Sequence, residues 1–161
     1  MTKYKDITNS IAPIIKKLQK KYFKYIGHIK LKKIKVVAAL YRRRTDYYAV
    51  VRYYHPAVKM FMRENIDYVI EICIPNATDL NKNQLLILLL HELMHIPVGG
   101  TDPDHANYLS IAEHDLEEFT EIMKLTGNFF NWVKDRNIED ILDNRIRDIK
   151  ISKNGEVLIY E

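Results

Sequence analysis

The sequence predicts an α+β domain with a small, mostly antiparallel sheet. One observation is the order of patterns, in which a helical stretch precedes several strand-like stretches and two further helical stretches follow. The other is composition: 47% of the 161 residues are hydrophobic and 29% are charged, which is typical of a globular chain with a real core. We therefore expect one domain over 1–161, with a basic N-terminal helix in 1–30 and a C-terminal extension in 128–161.

The first half of the chain predicts one helix and three strands. Residues 9–26 place apolar side chains on one stripe with lysines opposite, which indicates an amphipathic helix that stops at Gly27. Residues 33–41 and 47–54 are rich in β-branched and aromatic residues, and we expect them to pair with each other across the basic turn RRRTD. Residues 66–75, IDYVIEICIP, predict a third strand that proline closes.

The second half predicts two long helices. Asp79 or Asn81 can cap a helix that runs through His95 and ends before Pro97. Residues 108–125 predict a second helix, with an apolar stripe that would pack against the first.

The C-terminal extension predicts short helices and a hairpin. The stretches NFFNWVKD and NIEDILDNRIRDI suggest short helices. Asn154-Gly155 lies between alternating apolar residues, which is a strong signal for a β-hairpin.

Charge is distributed unevenly along the chain. Residues 1–63 hold 17 of the 25 Lys and Arg residues but two of the 21 acids, so they carry +15, while residues 64–161 carry −11. A basic half can bind nucleic acid, but the two halves can equally attract each other, or the lysines can form solvated faces.

Other features of the sequence exclude some classes of protein. The N-terminus lacks the apolar stretch of a signal peptide, and no run approaches the roughly 20 residues of a membrane span. Cys73 is the one cysteine, which excludes an intramolecular disulfide and a multi-cysteine zinc site. A soluble cytoplasmic protein is the expectation.

The sequence contains an HExxH pattern, which is typical of a catalytic metal site. On a helix, His91 and His95 lie on the same face, so both imidazoles can bind one metal ion. Glu92 lies about 100° away around the helix, where it can accept a proton from a metal-activated water. Imidazole ligands suit zinc, and we expect one catalytic zinc ion.

The context of the pattern favours a site over two ordinary histidines near a helix end. LLILLL precedes it, and a helix so apolar is buried nearly all round. Polar side chains at such a position are unfavourable unless they have partners.

A catalytic zinc usually has three protein ligands, so one is missing from this helix. The metzincin pattern fails, because its Gly and His positions hold Val98 and Thr101. His114 lies at the edge of the apolar stripe predicted for 108–125, three residues after Ile111, where it would face the first helix.

Other side chains stay open as the third ligand. Glu117 or Glu118 would match a gluzincin pattern, and His105 lies in the intervening loop. Asp115 could orient a metal ligand by accepting a hydrogen bond from it.

The stretch LLLHELMHI followed by AEHDLEEFTEIMKLTG resembles the phage-type metallopeptidase family of viral and mobile-element genomes, and more distantly the SprT-like zincins. The resemblance covers about residues 33–127. It implies a zincin-like fold and a zinc site formed by His91, His95 and His114, with Glu92 as the acid/base.

The function that we expect is zinc-dependent hydrolysis of a peptide or protein substrate, with the strand at 66–75 binding the substrate backbone. Two alternatives remain. One is a SprT-like peptidase that acts on nucleic-acid-bound proteins through the basic half of the chain. The other is a metal-binding or interaction module that keeps the fold without hydrolysis.

Overall fold

The computed structural model describes residues 3–114, 119–126, 132–134, 138, 140–142 and 145–161, which form an α+β fold. The strands of these residues are β1 (Lys3–Asp6), β2 (Ile34–Leu40), β3 (Ala49–Tyr53), β4 (Tyr68–Cys73), β5 (Asp148–Ile151) and β6 (Val157–Tyr160). The helices are α1 (Thr8–Lys21), α2 (Phe23–Ile26), α3 (Pro56–Lys59), α4 (Ile74–Ala77), α5 (Lys82–Met94) and α6 (Thr120–Thr126), with a 3₁₀ turn at Leu31–Lys33.

The main sheet is mixed and has the strand order β1-β2-β4-β3. The outer pairs β1–β2 and β3–β4 are antiparallel, whereas the central pair β2–β4 is parallel, with Ile34 opposite Tyr68. The predicted pairing of β2 with β3 is therefore wrong, because β4 lies between them. The expectation of a mostly antiparallel sheet holds only for the two outer pairs.

Burial explains this strand order. Five of the six residues of β4 are buried, whereas β3 ends in the exposed residues Arg52 and Tyr53. A strand that is buried on both faces is most stable in the centre of a sheet, and a strand with exposed polar residues suits an edge. The other edge strand, β1, was not predicted, because its sequence KYKD is polar and fully exposed.

The predicted helix over 9–26 is divided in two. α1 buries Ile11, Ile14, Ile15 and Leu18 on one stripe, as expected. The helix breaks at Tyr22, whose side chain is buried and whose hydroxyl donates a hydrogen bond to the carbonyl of Ile141 at 2.9 Å. α2 then ends at the predicted stop, Gly27.

Helix α5 is the central helix. Asn81 caps it through a capping box, in which its side chain accepts from the Gln84 N–H and the Gln84 side chain accepts from the Asn81 N–H, both at 2.9 Å. Every residue from Gln84 to Leu90 is buried, which confirms the prediction of a helix that is buried all round.

The predicted helix over 108–125 is wrong in its first part. Residues 108–114 are not helical, and the helix of the described residues is α6, which begins at Thr120. The backbone N–H groups of Ser110 and Ala112 donate to Tyr68 and His95, so they do not form helical hydrogen bonds. Ile111, expected in the core, is 36% exposed.

The C-terminal hairpin is confirmed as β5 and β6, which pair antiparallel across the turn that contains Gly155. Strand β5 packs against α5. The predicted short helices are wrong where the structure describes them: residues 132–134 form a turn, residues 138, 140–142 and 145–147 are not helical, and Asp148 begins β5. The other residues of these two stretches that precede β5 lie outside the described residues. Within the described part of the chain, no helix combines the length and the apolar character that crossing a membrane requires.

Candidate metal centre

The last turn of α5 brings the HExxH residues to one place. His91 and Glu92 lie in the helix, and His95 is its C-cap residue with helical dihedral angles. Because the backbone stays helical through His95, the two imidazoles lie one turn apart on the same face. Their Nε2 atoms are 3.2 Å apart.

His114 completes a group of three imidazoles. Its Nε2 atom lies 3.0 Å from that of His91 and 3.1 Å from that of His95. Three nitrogens bound to one tetrahedral zinc at typical distances would be about 3.3–3.4 Å apart, so the observed triangle is close to the spacing that zinc needs. Within the described residues, these three histidines are the cluster whose ligand atoms could hold a metal ion.

The tautomer of His95 suits metal binding. Its Nδ1 atom lies 2.7 Å from the carbonyl oxygen of Ala112, which can only accept, so Nδ1 carries the proton. The neutral ring then has its lone pair on Nε2, which faces His91 and His114. A hydrogen bond from the second ring nitrogen to a carbonyl is the usual support of a metal-binding histidine.

Ala112 binds His95 twice. Besides accepting from the ring, it donates its backbone N–H to the carbonyl oxygen of His95 at 2.7 Å. This reciprocal contact fixes the segment that carries His114 alongside the end of α5. His114 thus reaches the cluster from an irregular segment, held by backbone hydrogen bonds, and not from the face of a second helix.

The surroundings of the triad are acidic on one side and apolar on another. Glu92 is 4% exposed, and its Oε1 atom lies 4.0 Å from Nε2 of His91. The ring of Phe119 packs against all three imidazoles, at centroid distances of 5.4 Å from His91, 4.9 Å from His95 and 4.8 Å from His114. An apolar wall of this kind limits water and strengthens electrostatic interactions at the nitrogens.

Tyr68, the first residue of β4, holds the segment that carries His114 through hydrogen bonds to Ser110. Its side chain is fully buried, and its hydroxyl donates to the carbonyl of Ser110 at 2.8 Å and accepts from the N–H of Ser110 at 3.1 Å. Burial raises the pKa of Tyr68 to about 12, so the hydroxyl stays protonated and can donate.

Asp67, next to Tyr68, also holds the segment that carries His114. We call the contacts of Tyr68 with Ser110 and of Asp67 with Tyr108 the two clamps. The hydroxyl of Tyr108 donates to Oδ1 of Asp67 at 2.9 Å, and the buried Asp67 carboxylate also pairs with the ammonium of Lys59. Leu109 lies between the two clamped residues and has a φ of +53°, which is strained for a residue with a branched side chain. The chain therefore turns sharply at Leu109, and the two clamps hold that turn.

Of the other predicted site residues, the structure describes His105 and places it away from the triad. His105 is exposed, and its ring packs over Gly99 and accepts the N–H of Asn107 at 3.0 Å, away from the triad. Asp115, Glu117 and Glu118 fall outside the described residues.

Sequence reasoning missed the residues that position His114. Tyr68 and Asp67 looked like ordinary strand residues, and the contribution of Ala112 and Ser110 is made by their backbone, which has no sequence signature. An aspartate before an otherwise apolar strand was the one available signal, since a buried carboxylate needs a partner.

The strand β4 cannot bind a substrate backbone in the way that the sequence suggested. It is hydrogen-bonded to β2 on one side and to β3 on the other, so both of its edges are occupied.

Comparison with known proteins bears on this site. Neither a curated protein nor a solved structure matches the chain with significance. A family profile does match, over residues 4–147, which include the N-terminal helices, the sheet and all three histidines. This match is longer than the stretch of about 33–127 that carries the resemblance in the sequence. The chain belongs to the family described as "Putative phage metallopeptidase".

Proposed function

We propose that this chain is a zinc-dependent metallopeptidase of zincin-like fold, with His91, His95 and His114 as the zinc ligands and Glu92 as the general base. The observation that carries the proposal is the triangle of Nε2 atoms, with sides of 3.0–3.2 Å, next to a buried carboxylate. Membership of a metallopeptidase family supports a peptide or protein substrate.

The donor set favours zinc and an open site. Among the described residues the ligand set is three imidazoles without a thiolate, which matches catalytic zinc, an ion that keeps a fourth position for water or substrate. When bound, the zinc ion would lower the pKa of a water molecule to about 7 and polarise the scissile carbonyl. A structural zinc would use four protein ligands and would have no need of a nearby base.

The residues of the chain divide the remaining work. The Glu92 carboxylate accepts a proton from the attacking water and returns it to the leaving nitrogen. Ala112 keeps His95 in the tautomer that leaves Nε2 free of a proton. Phe119 limits the access of bulk water to the three rings.

The proposed reaction would take place in the cytoplasm. The catalytic domain would span the whole chain and include the C-terminal hairpin.

Metal analysis and one substitution test this function. We expect one zinc ion per purified chain and cleavage of an unstructured protein such as casein. Glu92→Gln should retain zinc and lose activity by roughly 10²–10⁴-fold, because it removes the base and no ligand. Glu156→Gln, an exposed glutamate of the hairpin, is the matched control and should change neither quantity.

Two results would contradict the proposal. Full activity of zinc-loaded Glu92→Gln would remove Glu92 from the chemistry. A wild-type chain that binds zinc but cleaves no unstructured protein would favour the alternative of a non-hydrolytic metal-binding module.

A further inference from the structure

A groove of about 700 Å³ lies on the basic half of the molecule, away from the three histidines. Its walls are the start of α1, the 3₁₀ turn with the start of β2, and the segment before β4. The lining residues come from these three segments: Thr8, Asn9, Ala12, Lys16, Leu31, Lys32, Lys33, Ile34, Lys35, Glu64, Asn65 and Ile66.

The groove has a net positive charge. Four of its lining residues are lysines and one is an acid, Glu64. Lys35 lies 2.9 Å from a carboxylate oxygen of Asp6 and 2.9 Å from one of Glu64, so these three residues together carry −1 and the groove with Asp6 carries +2. Lys16, Lys32 and Lys33 remain as cationic groups, and Asn9 adds an exposed amide.

The excess charge extends beyond the groove. Residues 8–33 contain eight lysines and no aspartate or glutamate. Ion pairs do join the basic and acidic halves of the chain, for example Lys5–Glu156, Arg44–Asp79 and Lys59–Asp67. Among the described residues, none of these pairs uses a lysine of 8–33. The ion pairs of the described residues therefore do not offset the charge of 8–33, although Lys21 attracts Asp140 at longer range, whereas an ordinary solvated helix face mixes both signs.

The groove and the candidate metal centre share one end of the sheet. Ile34 and Lys35 begin β2 and lie opposite Tyr68 and Val69 at the start of the parallel strand β4. Ile66 lines the groove, and the next two residues of the chain hold the His114 segment. The groove therefore ends, at Ile66, directly before the two buried residues that hold the His114 segment.

We propose that this groove binds the phosphodiester backbone of a nucleic acid without reading its sequence. Lysines that emerge from separate walls suit a chain of regularly spaced phosphates, and side-chain amides commonly donate to phosphate oxygens. An isolated acidic side chain would use only one or two of these cations. Binding of nucleic acid goes beyond the proposed peptidase function and does not depend on it.

Binding to a fluorescently labelled 20-nucleotide oligonucleotide tests the groove. The full-length chain is titrated over a range of salt concentrations, with anisotropy as the readout. The double variant Lys16→Gln/Lys32→Gln removes two groove cations and should weaken binding about tenfold or more. It should also reduce the magnitude of the slope of log K against log[salt] by roughly 1.4 for a single strand, since two fewer phosphates are neutralised and fewer counterions are released.

A matched variant separates the groove from general attraction. Lys17→Gln/Lys20→Gln removes the same charge from exposed positions of α1 that do not line the groove, and it should change affinity far less. Circular dichroism checks that both variants fold. Equal losses in the two variants would overturn the assignment to the groove.

Two further results would overturn the proposal altogether. One is no binding by the wild-type chain in 50 mM salt, and the other is displacement of the oligonucleotide by an equal charge concentration of polyglutamate. Because none of these measurements uses cleavage, their failure is distinguishable from failure of the peptidase function.

Discussion

His95 is the residue around which the candidate centre is organised. Its Nε2 atom lies about equally far from those of His91 and His114, and its Nδ1 atom and carbonyl oxygen bind the backbone of Ala112. The His95 side chain therefore pairs with His91 on α5 and also anchors the segment that carries His114. Tyr68 extends that anchor to the sheet through Ser110.

Removal of the Tyr68 hydroxyl should loosen the third ligand. Tyr68→Phe keeps the buried ring but loses both hydrogen bonds to Ser110, so we expect zinc affinity to fall about tenfold with one ion still bound per chain. Competition with a chelator measures the affinity. Tyr53→Phe is the control, because the centroid of the Tyr53 ring lies 6.5 Å from that of Tyr68. Unchanged affinity in Tyr68→Phe would show that Ser110 does not position His114.

The same hydroxyl should make stability depend on alkaline pH. The pKa of Tyr68 is raised by burial to about 12, above its ordinary value of about 10, so folding favours the neutral form. Its contribution to stability is complete below pH 10 and is lost as pH rises to 12. We expect the free energy of unfolding of Tyr68→Phe to fall less than that of the wild type over this interval. Parallel curves in urea titrations at pH 9, 10 and 11 would contradict the assignment.

At the scale of elements, α5 and the segment 96–114 have different origins of stability. α5 is specified locally, by its capping box and by a continuous apolar run. The segment after it is held by side chains from β4, by the backbone of His95 and by a hydrogen bond between Nε2 of His28 and the carbonyl of Ile96 at 2.8 Å. The occupied edges of β4 also mean that a substrate strand would have to pair with an outer strand, β1 or β3.

The capping box should contribute measurably to the stability of α5. Asn81→Ala leaves the N–H of Gln84 without its side-chain acceptor, so we expect a loss of about 1 kcal/mol in the free energy of unfolding, measured in urea. Asn81→Asp retains an acceptor and should recover most of this loss. An aspartate variant that is as unstable as the alanine variant would argue against the cap. Zinc stoichiometry should stay the same in both, because the metal centre lies at the other end of the helix.

At the scale of the whole molecule, both ends of the chain enclose α5. The N-terminal helices and the main sheet pack on it, and the C-terminal hairpin contacts it through β5. The hairpin turn also reaches the sheet: a Cβ atom on Gly155 would lie 2.9 Å from Cβ of Ala38 and 3.3 Å from Cδ2 of Leu40. Gly155 has a φ of +69°, which strains any other residue.

Substitution of Gly155 should therefore destabilise the whole fold and not only the hairpin. We expect Gly155→Ala to lower the free energy of unfolding by roughly 1–3 kcal/mol, because the new methyl group meets β2 in a left-handed backbone. Asn154→Ala, at the neighbouring exposed position, is the control and should cost much less. Equal effects of the two substitutions in urea unfolding would show that the turn does not dock on the sheet.

The sequence by itself determined the features that depend on nearby residues. These include the buried helix and its cap at Asn81, the strand β4, the hairpin around Gly155, and the proximity of His91 to His95, because helical spacing brings residues four apart together. It also pointed to His114, although the predicted reason, a second helical stripe over 108–125, was wrong.

Only the tertiary structure decided the features that depend on distant partners. The position of β4 between β2 and β3 follows from burial of both its faces, which a local alternation pattern does not report. The path of residues 108–114 follows from hydrogen bonds to Tyr68 and His95, which outweigh the helical preference of that stretch. Two histidines therefore come together through the periodicity of one helix, and the third joins them because the sheet and the end of that helix hold its backbone in place.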